Sequence, residues 1–217
     1  MADFTDLRTT MVDTQVRPSD VTKYTVIEAL LNVPRESFVP HEKRDAAYIG
    51  EHIHLDANRV VIDPRVLAKM LDSLDIQQDE LVLDVGVGLG YSSAIIARMA
   101  EAVVALEDDE ARGGEAQSLL VEHGVDNVVV QVGDLNEGAA VHGPYDVIVV
   151  EGGVEILPEA LKSQLKEGGR IATLFMDGAL GAVRVGSKLN GEINWRFVFN
   201  ATAPVLPGFQ KDYTFEL

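Results

Sequence analysis

Asp84-Val85-Gly86-Val87-Gly88-Leu89-Gly90 is the stretch on which the fold of this chain turns. It follows the apolar, β-branched run Leu81 to Val85 and precedes Tyr91 to Met99, whose composition is helical. A strand therefore ends in a glycine loop that opens a helix, the place where open α/β sheets build ligand crevices. Three glycines at alternate positions permit unusual backbone angles and remove the Cβ atoms that would keep a ligand from the backbone.

Downstream of the loop, strand-like and helical runs alternate. Ala102 to Leu106, Val128 to Val132, Tyr145 to Val150 and Arg170 to Phe175 read as strands, and Asp109 to His123 and Glu155 to Leu165 as helices. Such alternation predicts a mostly parallel sheet with right-handed crossovers. Leu180 to Val185, Trp195 to Phe199 and Tyr213 to Phe215 are strand-like, with Asn190-Gly191 a hairpin turn, and predict an antiparallel C-terminal edge. The expected fold class is α/β and Rossmann-like, with a helical N-terminal extension.

Residues 1–77 are expected to be that helical segment, covering the active site, and residues 78–217 the cofactor-binding core, the two forming one compact unit. Ser19 or Asp20 is expected to cap a helix carrying Val21, Tyr24, Ile27, Leu30 and Leu31, ended by Pro34. Asp63 caps a second helix with Pro64 at its first position and Val66, Leu67, Met70, Leu71 and Leu74 on one face.

Composition narrows the function. The 217 residues hold 18 Lys plus Arg and 35 Asp plus Glu, a net charge of −17, and no cysteine. Thiol nucleophiles, cysteine-based metal sites and redox pairs are excluded. So acidic a chain disfavours nucleic acid and anionic membranes as partners, since both demand clustered cations. Met1 to Gln15 lacks the basic start and apolar centre of a signal peptide, and no apolar run approaches the roughly 18 residues of a membrane span. A cytoplasmic location is expected.

The candidate site is an ordered set. Asp84 precedes the loop and can attract the ammonium of a bound amino acid. Glu107, at the end of the second core strand, can accept both hydroxyls of a ribose, and Asp134, after Gly133, the exocyclic amine of adenine. A dinucleotide loop places a small residue where Tyr91 stands if it starts at Gly86, and starts two residues late if it begins at Gly88. Asp84, Gly86, Gly88, Gly90, Tyr91, Glu107 and Asp134 thus fit S-adenosylmethionine better than NAD. His52 and His54 share one face of a strand but lack a third ligand at metal spacing, so no metal is expected.

At this point the sequence resembles the protein-L-isoaspartate O-methyltransferase family. The resemblance is carried by Met11-Val12 and Gln15, Val33-Pro34-Arg35-Glu36-Ser37-Phe38-Val39-Pro40, Ala47-Tyr48, Leu83 to Tyr91, Gly133-Asp134, Tyr145 to Ile148, Ile156-Leu157-Pro158, Gln164-Leu165 and Gly168-Gly169. It implies transfer of the methyl of S-adenosylmethionine to a peptide or protein carboxylate, that of an L-isoaspartyl residue, and so protein repair. It also places Tyr48 in a substrate pocket. Asn58 to Pro64 corresponds to the family's Gly-Gln-x-Ile-Ser-x-Pro stretch, so Ile62 stands where the family carries the serine that meets the acceptor. Phe199 to Leu206 departs likewise from the C-terminal element brought near the acceptor. Arg59 is a candidate to recruit the carboxylate instead. A carboxylate with a pKa near 4 is already ionised at neutral pH, so in-line transfer needs alignment and desolvation, with no general base. Three functions stay open: this transferase, with the family's acceptor or another; a binding module that holds the cofactor without transfer; and an NAD-linked dehydrogenase.

Overall fold

In the computed structural model the described residues are 3–211. Helix α1 (Phe4–Met11) starts where Asp3 accepts from the Thr5 N–H at 2.8 Å. It runs on through a wide turn, Val12–Val16, and a 3-10 turn, Arg17–Ser19, which ends at Asp20 in the left-handed region. Helix α2 (Tyr24–Asn32) therefore begins after Lys23, not at Ser19 or Asp20 as expected. Ser19 donates back to the Gln15 carbonyl and belongs to the preceding coil. Val33 leaves the helix extended ahead of Pro34.

The segment before residue 78 is not helical throughout. Strands β1 (Ile53–His54) and β2 (Val60–Val61) form an antiparallel hairpin outside the main sheet. Helix α3 (Pro64–Leu74) follows, with Asp63 accepting from the Arg65 N–H at 2.7 Å. Its expected apolar face is buried and packs on the sheet.

The core then runs β3 (Leu81–Val85), α4 (Tyr91–Ile96), β4 (Ala102–Glu107), α5 (Glu110–Glu122), β5 (Val128–Val132), β6 (Tyr145–Val154), α6 (Glu159–Ser163), β7 (Leu165–Asp177), β8 (Leu180–Leu189) and β9 (Glu192–Asn200). The strand order is β5-β4-β3-β6-β7-β8-β9, parallel from β5 to β7 and antiparallel through β8 and β9. The expected helix Glu155 to Leu165 shrinks to one short turn, because β6 extends to Val154 and Pro158 allows a start only at Glu159. Asn190 and Gly191 both take positive φ, the primed turn that a right-twisted hairpin favours. The Tyr213 to Phe215 expectation lies outside the described residues.

Successive strands are added to one side of β3 as far as β5 and to its other side from β6 onward, and this change of winding between the parallel β3 and β6 opens the switch-point crevice at their C-terminal ends. Alternate residues of both strands feed two apolar clusters. Val82, Val147 and Val149 face one layer with α2, α3 and α4, while Leu83, Val85, Ile148 and Val150 face another with Leu161 and Phe209. Burial on both faces explains why these strands read as unbroken apolar runs. After β9 the chain crosses the end of β6 as a strap, with Gly153 donating to the Pro204 carbonyl and Leu206 to that of Gly153. Among the described residues no helix is long and apolar enough to cross a membrane.

Candidate functional site

The glycine loop hangs from the top of β3. Gly86 donates to the Leu106 carbonyl at 2.8 Å, and Gly86, Gly88 and Gly90 have φ of +82°, +57° and +91°. Their roles differ. A Cβ on Gly90 would lie 3.4–3.5 Å from Leu120 and Ala116, so this glycine seats α4 against α5. A Cβ on Gly86 would lie 3.4 Å from Arg59 Nη2 and 3.5 Å from Leu206 Cδ1, and one on Gly88 2.6 Å from Leu55 Cδ1. These two glycines line the crevice.

Glu107 ends β4 beside them, fully buried, and both of its oxygens accept hydrogen bonds. Arg59 grips it with two hydrogen bonds of 2.9 and 2.6 Å, Arg112 Nε donates at 2.9 Å, and the Gly88 N–H donates at 2.8 Å. Arg59 is itself only 1% exposed and also pairs with Asp108. The expectation of Arg59 as a recruiter of an acceptor carboxylate therefore meets a guanidinium already held by two carboxylates of this chain. Against its partial burial, a hydrogen bond with Glu107 and then the charges of Arg59 and Arg112 hold the Asp108 carboxyl below its ordinary range. Asp134 is exposed, and the Gly133 before it donates to the Glu107 carbonyl at 2.9 Å, so it stands at the mouth of the same crevice.

Asp84 faces inward. Its Oδ2 accepts from the hydroxyls of Ser92 and Ser93, both at 2.7 Å, and its Oδ1 is buried with no protein partner. Burial pushes its pKa up to about 6, with the two hydroxyls pulling the other way. Glu151, near the end of the neighbouring β6, is a second buried carboxylate whose Oε1 has no partner, and burial followed by the charge of Asp84 drives its pKa well above the usual range. Sequence reasoning missed Glu151. Its signal was an acid closing the apolar run Val147 to Val150 at a strand's C-terminal end.

Tyr91 points away from the crevice, its ring 4.8 Å beneath the guanidinium of Arg35. Arg35, also overlooked, is fully buried and donates to the carbonyls of Ala47 at 2.8 Å and Ile62 at 2.8 Å. It fixes the backbone of the stretch that the resemblance puts at the acceptor. Ile62 packs in the core at 1% exposure. Tyr48 is buried as well, accepting from Arg8 at 3.1 Å and donating to Glu36, so it braces the N-terminal helices.

His52 joins two elements: its Nδ1 accepts from the Asp63 N–H at 2.9 Å and its Nε2 meets the Thr202 carbonyl at 2.7 Å. It lines, with Asp63, Arg65 and Asn200 to Thr202, an open cleft of about 830 Å3. Among the described residues no group of three or more His, Cys, Asp or Glu is arranged to hold a metal ion.

The residues suit S-adenosylmethionine in kind. Two buried carboxylate oxygens without partners stand near the ends of β3 and β6, where an ammonium would satisfy them, and Glu107 lies where a ribose diol would meet it. The Gly86 and Gly88 cradle is lined at present by the chain's own Leu55, Arg59 and Leu206.

Comparison with known proteins agrees. Residues 8–193 match the family described as protein-L-isoaspartate(D-aspartate) O-methyltransferase. Protein-L-isoaspartate O-methyltransferase 1 of Rhodopseudomonas palustris (strain HaA2) is 36% identical over 168 residues, 77% of this chain and 69% of that relative. Its counterpart in Koribacter versatilis (strain Ellin345) is 33% identical over 186 residues, 86% of this chain and 84% of the other. A solved protein-L-isoaspartate O-methyltransferase has the same fold, with TM-score 0.79 and 23% identity over 95% of this chain and 66% of its own. So does a Plasmodium falciparum chain assigned to that activity and solved with S-adenosyl-L-homocysteine, with TM-score 0.78 and 18% identity over 95% of this chain and 99% of its own. With its Gly-x-Gly-x-Gly crevice and this match from residue 8 to residue 193, the chain belongs to the protein-L-isoaspartate(D-aspartate) O-methyltransferase family, whose cofactor is S-adenosylmethionine.

Proposed function

We propose that this chain binds S-adenosylmethionine against Gly86 and Gly88 and methylates a carboxylate of a peptide or protein, that of an L-isoaspartyl residue. The observation that carries the reading is the crevice itself, with Glu107 beside the glycine loop and two partnerless buried carboxylate oxygens at its floor. Asp84 and Glu151 would take the ammonium, Glu107 the ribose hydroxyls and Asp134 the adenine amine. Bound there, the cofactor supplies a methyl group on a sulfonium, electrophilic without further activation.

The chain's own task is to orient and dry the acceptor. A carboxylate needs no proton removed at neutral pH, and holding two reactants in line supplies several kcal/mol. The peptide is proposed to approach through the cleft beside Asp63 and Thr202, elements that His52 ties together. Arg65, exposed on its rim and in no ion pair among the described residues, is the cation available to steer a carboxylate there. Ile62 offers no hydroxyl, so positioning rests on fewer hydrogen bonds, each worth about 1.5–3 kcal/mol to a charged group; slow turnover is expected. We place the protein in the cytoplasm, without nucleic acid as a partner, in keeping with its charge of −17.

A second reading, a module that holds the cofactor without transferring its methyl group, draws on Ile62 and the engaged Arg59. Incubation with methyl-labelled S-adenosylmethionine and matched isoaspartyl and aspartyl peptides separates the two. Base-labile label on the isoaspartyl peptide alone supports transfer, and cofactor binding with no label on either supports the module.

A further inference from the structure

The carboxylate proposed for the ribose and the cation that grips it both belong to this chain. Arg59 lies in the five-residue loop of the β1–β2 hairpin and reaches across to Glu107 and Asp108, 48 and 49 residues on. Asp56 of the same loop pairs with Arg112 of α5 at 2.6 Å, while its other oxygen accepts from the Asn58 and Arg59 N–H groups and shapes the turn. Leu55 then lies over Gly88 and the Arg59 guanidinium over Gly86. A ribose whose two hydroxyls donate to Glu107 needs the same oxygens that Arg59 now holds.

We infer that Arg59 is an internal competitor for the cofactor's ribose subsite, and that the hairpin must lift from Glu107 before S-adenosylmethionine can enter. This rests on the proposed cofactor site, but not on the identity of the acceptor.

The tip of the hairpin, residues 55–59, is the part that can be displaced, since Ile53, Val60 and Val61 are anchored in the core. Each strand has two residues, and they pair only with each other, so no ladder of the main sheet breaks when it moves. Two-stranded hairpins are marginal by themselves. The tip is held by the ion pairs of Arg59 and Asp56 and by the apolar contact of Leu55. Among these, the Asp56–Arg112 pair is partly exposed, at 43% and 20% for the two side chains. Glu107 keeps three donors, Arg112 Nε and the N–H groups of Gly88 and Asp109, when Arg59 leaves, so opening does not strand a bare buried charge. Arg59, by contrast, must find Asp108 or solvent, and the affinity of the cofactor is lowered by whatever that costs.

The test titrates S-adenosyl-L-homocysteine calorimetrically into the wild-type chain, Arg59→Met and Asp56→Asn, and follows amide exchange across residues 53–61. Arg59→Met keeps the buried stem and removes the competing cation; it is expected to bind at least tenfold tighter, equal to about 1.4 kcal/mol. Asp56→Asn keeps the turn-forming acceptor and loosens only the rim pair, and should tighten binding two- to threefold. In the wild type, ligand should speed exchange of residues 53–61. Unchanged or weaker binding by a folded Arg59→Met chain overturns the inference, as does absence of binding in all three proteins. Should Arg59→Met fail to fold, the other two readouts decide: no gain in Asp56→Asn, together with slower exchange of the hairpin on ligand binding, would also reject it. Methyl transfer is scored separately, so tighter binding without labelled product counts against the transferase reading and leaves the competitor in place.

Discussion

Replacing Asp84 by asparagine probes the floor of the crevice through its charge. In an unfolded chain an aspartate ionises near 3.9, whereas in the native chain burial raises Asp84 to about 6. Between these values the folded protein holds a proton that the unfolded chain has lost, so the stability contributed by Asp84 falls as pH rises from about 4 to 6 and is then level, while Glu151, also raised by burial and then by the Asp84 charge, adds its own loss as pH rises. At 1.36 kcal/mol for each factor of ten, the ionised carboxylate costs the native state roughly 3 kcal/mol at neutral pH. An asparagine oxygen can keep both serine hydroxyls, but its amide hydrogens fall where Oδ1 has no partner, at a cost of about 1–2 kcal/mol. The gain wins above pH 6. Asp84→Asn should be more stable than wild type by about 1–2 kcal/mol at pH 8, a rise in Tm of roughly 2–6 °C, and less stable at pH 4.5. Urea unfolding of both proteins from pH 4 to 8, without cofactor, measures this. A difference that is constant across that range, or a variant that is less stable at pH 8, would refute the burial argument.

Other substitutions follow from the same contacts. Glu107→Ala leaves Arg59 buried with one carboxylate fewer and the Gly88 N–H without an acceptor; denaturant unfolding should report a loss of about 3–5 kcal/mol, so loss of cofactor binding in this variant must be read beside its stability. Ile62→Ser should cost about 3 kcal/mol and lower Tm by roughly 5–10 °C, because it removes a side chain that is 1% exposed in the core; a gain in methyl transfer without that loss would mean that the side chain faces the acceptor. Gly152→Ala brings a Cβ to 2.5–2.6 Å from Leu206, which should push the strap off the switch point, expose it to proteolysis and cost more than 1 kcal/mol in denaturant unfolding; equal proteolysis rates would reject the strap contact.

What the sequence made legible is what local chemistry dictates. Asp63-Pro64 starts a helix, Asn190-Gly191 turns a hairpin, and alternate glycines after an apolar run mark a loop at a strand's end. The misplaced start of α2 has a physical origin, since Met11, Val12 and Val16 continue the buried face of α1 through non-α turns that a 3.6-residue period does not register. The site was legible only in part. Glu107 and the loop lie close in sequence, but the Arg59–Glu107 pair joins residues 48 apart, and nothing local marks it. Arg35 was hidden because arginine is normally a surface residue. Here its cost of burial lowers the guanidinium pKa, and backbone carbonyls of two segments, Ala47 and Val61-Ile62, take its hydrogens.

Whether the crevice between β3 and β6 holds the cofactor is decided by a crystal structure with S-adenosyl-L-homocysteine. Ligand density is expected along Gly86 and Gly88, with the ribose hydroxyls on Glu107, the ammonium beside Asp84 and Glu151, and Arg59 withdrawn. Ligand bound elsewhere, or a crevice still filled by Arg59 and Leu206 at saturating ligand, would contradict it.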